Sequence, residues 1–130
     1  MYFVCFMYMN YWGHHLLLNA HKCVPATIRS KSLIEEFTRD LVKKIDMVPY
    51  GKPRVVMFGT GNKKGYTLVQ LIETSNITGH FVEETDDMYL DVFSCKTFAP
   101  ETVEDMVDYY FGPTKMNTKW VSRDASIRMQ

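Results

Sequence analysis

Ser75, His80, Glu84 and Cys95 bring a hydroxyl, an imidazole, a carboxylate and a thiol into one short stretch. It reads Glu73-Thr74-Ser75-Asn76-Ile77-Thr78-Gly79-His80-Phe81-Val82-Glu83-Glu84, followed shortly by Asp91-Val92-Phe93-Ser94-Cys95. A serine hydroxyl can act as a nucleophile, an imidazole as a base near neutrality, and a thiol as a proton donor. A carboxylate can accept hydrogen bonds from two neighbouring hydroxyls. Each residue also has a structural explanation. Ser75 fits a turn, His80 a strand, Glu84 a solvated turn, and Cys95 a small buried apolar position. On residue types alone the structural explanations are the better reading.

The elements that must position these groups follow from periodicity. His14 to Ala20 is a short apolar run after Gly13, expected as a buried strand, and Val24 to Arg29 reads as a connector containing Pro25. Ser32 with Glu35 three positions on forms a capping box, so a helix is expected to start there, with Ile34, Phe37, Leu41 and Ile45 on one face. Pro49 to Pro53 punctuates its end. Strands are expected at Arg54–Phe58, Tyr66–Ile72, Asn76–Val82 and Met88–Ser94, with an acidic turn from Glu83 to Asp87. Pro100 opens a second helix whose face is Val103, Met106, Val107, Tyr110 and Phe111; Gly112-Pro113 stops it, and Lys115–Ser122 returns as a strand. Two long helices among so many strands predict an α/β two-layer sandwich, a largely antiparallel sheet with both helices on one face.

Gly59-x-Gly61-x-x-x-Gly65 superficially suggests a phosphate loop, but its spacing misses the dinucleotide pattern by one residue and a strand follows it, not a helix. A hairpin loop is the better reading.

At 130 residues the chain is expected to be a single domain, residues 1–130. The apolar and charged fractions, 46% and 23%, are those of an ordinary globular protein. Fifteen basic residues balance fifteen acidic ones, which argues against a nucleic-acid partner. Three cysteines (Cys5, Cys23, Cys95) without paired spacing argue against a disulfide framework or zinc knuckle and for a reduced, cytoplasmic setting. His14, His15, His21 and His80 lack metal-ligand spacing, so no metal is expected. Met1 to Trp12 is apolar and aromatic but too short to span a membrane and lacks the marks of a signal peptide. An edge strand or an extension from an upstream start, with Met7 or Met9 as the true one, accounts for it.

The central stretch resembles the core motif of short bacterial-type S-adenosylmethionine decarboxylases. That motif reads Glu-Ser-His-(apolar)-(Ser/Thr)-(apolar)-His-Thr-Trp-Pro-Glu, then Asp-(apolar)-Phe-Thr-Cys. Ser75, His80 and Cys95 match it without a gap, in an ungapped block from Gly59 to Cys95. Gly13-His14-His15-Leu16 resembles the family's opening strand, and Thr67 falls where the family has a serine. The resemblance implies a proenzyme that cuts itself between Thr74 and Ser75 and turns Ser75 into a pyruvoyl cofactor. Thr74, Thr67, Ser75 and His80 would take part in processing, with His80 removing the Ser75 α-proton. The pyruvoyl would bind substrate as a Schiff base and accept the electrons released with carbon dioxide. Cys95 would return a proton to the substrate, and Glu84 would bind its ribose. The implied substrate is S-adenosylmethionine, the implied product an aminopropyl donor for spermidine, and the implied assembly a homodimer with active sites near the interface.

Departures from the motif fall mostly in the substrate pocket. Gly61 stands where the family has an adenine-stacking phenylalanine, and Val82-Glu83 replace Trp-Pro. A lost stack removes roughly 1–3 kcal/mol of base binding unless Phe58, Tyr66 or Phe81 substitutes. Thr74 replaces a glutamate and Asn76 a histidine, changes expected to alter processing rate without abolishing it. Two alternatives follow. One is a pyruvoyl-dependent decarboxylase of ornithine or arginine, with Glu83 holding the cationic side chain. The other is a non-cleaving relative that only binds a partner.

Overall fold

The computed structural model describes residues 11–129. The expected edge strand or start-site extension thus lies, apart from Tyr11 and Trp12, outside the described residues.

The fold is an antiparallel six-stranded sheet with its helices packed on one side, as the periodicity predicts. In chain order the elements are β1 (Gly13–His21), α1 (Pro25–Ile28), α2 (Lys31–Lys44), β2 (Pro49–Phe58), β3 (Gly65–Ile72), β4 (Ser75–Val82), β5 (Asp87–Ser94), α3 (Pro100–Phe111) and β6 (Lys115–Arg123). In space the strands run β2-β3-β4-β5-β1-β6. Strand β1 therefore lies between β5 and β6, and the motif-bearing strands β3, β4 and β5 are consecutive neighbours.

Three local readings need correction. The capping residue of α2 is Ser30, not Ser32: Ser30 Oγ accepts the Leu33 N–H at 3.1 Å. Starting at Lys31 puts Ile34, which is fully buried, in the first turn against the core. The connector Val24–Arg29 contains the single helical turn α1, which buries Ile28. Pro49 to Pro53 belongs to β2 and does not merely end the helix. Both prolines fit because β2 is an edge strand with an irregular register between Tyr50 and Arg54. Gly51 there has φ 77°, and buried Gln70 donates to its carbonyl at 3.2 Å, satisfying the displaced backbone.

The core forms where the helices meet the sheet. Helix α2 contributes Ile34, Phe37, Leu41 and Val42, and α3 contributes Val103, Met106, Val107 and Phe111. Phe37 and Phe81 both pack on Phe111, with centroids 4.9 and 5.5 Å away. Helix α3 ends as its sequence predicts, with Gly112 in the left-handed region at φ 53° and its N–H on the Asp108 carbonyl. Alternate residues Leu16, Leu18 and Ala20 of β1, and Met88, Leu90, Val92 and Ser94 of β5, face this core.

The opposite face of the sheet carries no helix. A cross-strand row there runs Val56, Thr67, His80, Tyr89, Asn19, Asn117; the next runs Arg54, Val69, Thr78, Asp91, Leu17, Lys119. Leu17, Val69, Leu71 and Tyr89 are exposed on it. No helix among the described residues is long and apolar enough to cross a membrane.

His14 makes stability pH-dependent. Its ring stacks on Trp120 with centroids 5.0 Å apart, and its buried Nδ1 has no hydrogen-bond partner. Burial lowers its pKa from the ordinary 6.5. The unfolded chain therefore binds this proton more readily, so stability is full above pH 6.5 and falls as pH drops toward the lowered folded value. In urea titrations, His14→Phe should keep the stack and remove that part of the loss between neutral and mildly acidic pH.

Candidate active site

The residues singled out by their chemistry form two groups at opposite ends of β4. At one end Thr67 and His80 are direct partners across β3 and β4, and Thr67 Oγ1 lies 3.3 Å from His80 Nδ1. If Nδ1 carries the lone pair, the Thr67 hydroxyl donates to it and the proton sits on Nε2; the other tautomer reverses the roles. His80 is exposed on the helix-free face. Glu84 is exposed in the turn just beyond β4 at the same end.

Phe58 ends β2 there, 57% exposed, beside a groove of about 340 Å³ lined with Arg54, Val56, Thr67 and Val69. Its cross-strand partner is Gly65, whose own neighbour is Val82. Of the three aromatics that could replace the missing stack, Phe81 is buried in the core and Tyr66 packs against it. Phe58 alone of the three offers an open ring. Glu83, at the same turn, lies 3.8 Å from Lys64.

At the other end, Glu73 and Thr74 form the two-residue link between β3 and β4, with Ile72 paired to Ser75. Tight two-residue hairpins favour Gly or Asn, which accept positive φ. Neither is present, and the distortion falls on Ser75, at φ 157°. That backbone region is natural to glycine and costs another residue about 1–3 kcal/mol. The Thr74 carbonyl just before Ser75 accepts the Cys95 N–H at 3.0 Å. Ser94, paired with Ser75 across β4 and β5, is fully buried and its hydroxyl donates to Thr74 Oγ1 at 2.7 Å. Cys95 is buried beside it.

The fold thus joins Thr67 to His80, and Thr74 and Ser75 to Cys95, but leaves the two groups apart. Five residues of extended strand separate Ser75 from His80, about 16 Å at strand rise.

The place of Ser94 beside Thr74 was not found by sequence reasoning. Ser94 reads as a filler within Asp-x-Phe-Ser-Cys, and only its register opposite Ser75 reveals its place. A further cluster also emerges from pairing: His15 Nε2 lies 2.9 Å from Asp91, and Arg123 sits 4.8 Å over the Phe93 ring. It borders a cavity of about 450 Å³ lined in part by Trp12, Phe93 and Arg123.

A family model described as S-adenosylmethionine decarboxylase matches residues 14–124. The chain belongs to this family. Its fold also matches the crystal structure of the adenosylmethionine decarboxylase from Aquifex aeolicus VF5, with a TM-score of 0.76. That match covers 94% of this chain and 98% of the other at 19% identity, a likeness of fold. No curated protein sequence matches the chain. Membership in the S-adenosylmethionine decarboxylase family makes the chain a decarboxylase by descent. Both residue groups described above lie within the matched span.

Gly65 is the tightest point in this arrangement. A side chain there would collide with the Phe81 carbonyl oxygen across the β3–β4 ladder. Gly65→Ala should cost about 1–3 kcal/mol in urea unfolding. It should also move the His80 ring signals in NMR spectra, because the same ladder sets the Thr67–His80 contact.

Proposed function

We propose that the chain is a self-processing, pyruvoyl-dependent S-adenosylmethionine decarboxylase that is cut between Thr74 and Ser75. The observation that carries this reading is the Thr74–Ser75 peptide itself. Its carbonyl faces a backbone N–H of Cys95, and the residue after it has a strained φ. Ser75 Oγ adds to the Thr74 carbonyl carbon, and the Cys95 N–H stabilises the charge that develops on the oxygen. The C–N bond then breaks, the Ser75 nitrogen takes the proton, and an ester replaces the amide. His80 removes the Ser75 α-proton, the Cβ–O bond breaks, and Thr74 leaves as a carboxylate. The resulting enamine tautomerises to its imine, water adds to the imine carbon, the C–N bond breaks with loss of ammonia, and a pyruvoyl group remains at position 75. The residues fit such a group, since they supply the hydroxyl and an oriented carbonyl.

Once formed, the pyruvoyl supplies an electron sink for loss of carbon dioxide from a bound amino acid. Cys95 returns a proton to the substrate carbon, Glu84 accepts hydrogen bonds from the ribose hydroxyls, and Phe58 offers a flat face to the base. The product would serve as the aminopropyl donor for spermidine synthesis. The alternative of an ornithine or arginine substrate relied on Glu83 as a free carboxylate, and Lys64 already stands 3.8 Å from it.

The distance between Ser75 and His80 favours a homodimer. Two copies packed through their helix-free faces would bury Leu17, Val69, Leu71 and Tyr89. A two-fold axis crossing β4 between Ile77 and Thr78 would bring the Ser75 backbone, which carries the α-proton, level with His80 of the partner subunit, because the two positions are equidistant from it. Each site would then take its serine from one chain and its base from the other.

Intact mass tests the cut. The expected result is two fragments, 1–74 and 75–130, in place of one 15.2 kDa species, with Ser75→Ala remaining whole. A wild-type chain that stays whole and resists hydroxylamine would leave the non-cleaving relative as the correct reading. Mixing Ser75→Ala with His80→Ala chains tests the shared site: cleavage should appear, and only in the His80→Ala chain. Efficient cleavage of His80→Ala alone would exclude the assigned base. Carbon dioxide release should occur with S-adenosylmethionine and not with ornithine or arginine, and Phe58→Ala should raise KM about tenfold or more, in line with a lost stack.

A further inference from the structure

Thr74 differs from the glutamate of the family motif, and its surroundings account for the difference. Its side chain points into the core, only 7% of the residue is exposed, and it sits beside fully buried Ser94. The hydrogen bonds there form a one-way chain. The Lys96 N–H donates to Ser94 Oγ at 3.0 Å, Ser94 donates to Thr74 Oγ1 at 2.7 Å, and Thr74 donates to Met47 Sδ at 3.3 Å. A thioether can only accept; Ser94 Oγ also lies 3.6 Å from the sulfur, but Thr74 is nearer at 3.3 Å, and with Thr74 as its donor both hydroxyls are satisfied. A glutamate carboxylate would have no cation in this chain and would pay a large desolvation penalty.

Residues 94 and 95 therefore hold Thr74 at two points. Ser94 takes the side-chain oxygen, and the Cys95 N–H takes the main-chain oxygen at 3.0 Å. One contact alone would let the peptide plane pivot, whereas two fix it. The far end is tied as well. Lys96 Nζ donates to the Asp46 carbonyl at 2.6 Å and to its carboxylate at 2.9 Å, and the Glu73 N–H donates to the Val48 carbonyl at 2.9 Å. A residue in a sparsely populated conformation persists only where its surroundings over-determine it. Ser75 at φ 157° follows directly after this clamp.

We propose that the Thr74–Ser94 hydroxyl pair is a positioning device for self-cleavage, holding the Thr74 carbonyl for attack by Ser75. This rests on the self-processing reading above. Neither hydroxyl takes part in bond making. Their effect is on the first step, in which the Ser75 oxygen bonds to the Thr74 carbon and the C–N bond breaks with its proton passing to nitrogen.

The test follows fragment formation by intact mass in Thr74→Val, Ser94→Ala, the double variant and Thr74→Ser. Thr74→Val and Ser94→Ala should each slow cleavage at least tenfold. The double variant should be no slower than the slower single one, because both remove one contact. Thr74→Ser should cleave within about threefold of wild type, since it restores the hydroxyl. Hydroxylamine separates the steps. It should accelerate cleavage of His80→Ala, where the ester accumulates, and leave Thr74→Val slow, because there the ester does not form. Melting temperatures measured in a Ser75→Ala background report any purely structural effect. Should Thr74→Val fail to fold, Thr74→Ala removes the same hydroxyl without adding bulk at the core. Thr74→Val that cleaves at the wild-type rate, with only its melting temperature lowered, would overturn this proposal alone. A wild-type chain that never cleaves would overturn both it and the self-processing reading.

Discussion

The register of β4 between β3 and β5 fixes the positions of both halves of the site. In that register Thr67 meets His80, Ser75 meets Ser94, and the Cys95 N–H reaches the Thr74 carbonyl. Side chains alternate between faces along a strand, so a slip of one residue would send His80 into the core and Phe81 into solvent. Packing makes such a slip costly. Phe81 is wedged against Phe111, Ile77 is fully buried, and Gly79 and Gly65 fit where a larger residue would crowd its neighbours. The aromatic core thus acts as the ruler against which the polar groups are placed.

Much of the architecture was legible in the sequence because its signals are local. Pro100 and Gly112 mark the two ends of α3, and alternation along Met88 to Ser94 marks a half-buried strand. Cap selection at α2 was not legible, since Ser30 and Ser32 are both competent and tertiary packing of Ile34 decides between them. The prolines at 49 and 53 read as breakers because an edge strand differs from a loop only in what lies beside it. At the candidate site, spacing singled out Ser75, His80 and Cys95 but carried no information on their separation in space. Residues five apart read as neighbours in a motif, yet an extended strand holds them far apart. The role of Ser94 was hidden for a related reason: its meaning lies in a cross-strand partner.

The site also shows how strain and satisfaction divide between adjacent residues. Thr74 and Ser94 carry buried hydroxyls that each donate one hydrogen bond and accept one, which rigidifies their surroundings. Ser75, next in the chain, carries the unusual backbone angle. A link of Glu and Thr, where glycine or asparagine would relax the turn, concentrates the distortion at one peptide. The helix-free face contributes differently, since its exposed apolar residues keep the sheet open to a second body on the side that bears His80.

The strand order has a mechanical consequence for a chain divided after Thr74. Strands β1, β2 and β3 precede that bond, and β4, β5 and β6 follow it, but in space they run β2-β3-β4-β5-β1-β6. Strand β1 of the first piece is gripped on both sides by the second, and the β4–β5 pair of the second lies between strands of the first. Pulling the pieces apart would mean unzipping three antiparallel ladders at once. The two polypeptides would be interlaced like clasped fingers, so severing one peptide would create new chain ends at the site while the body around them stayed whole.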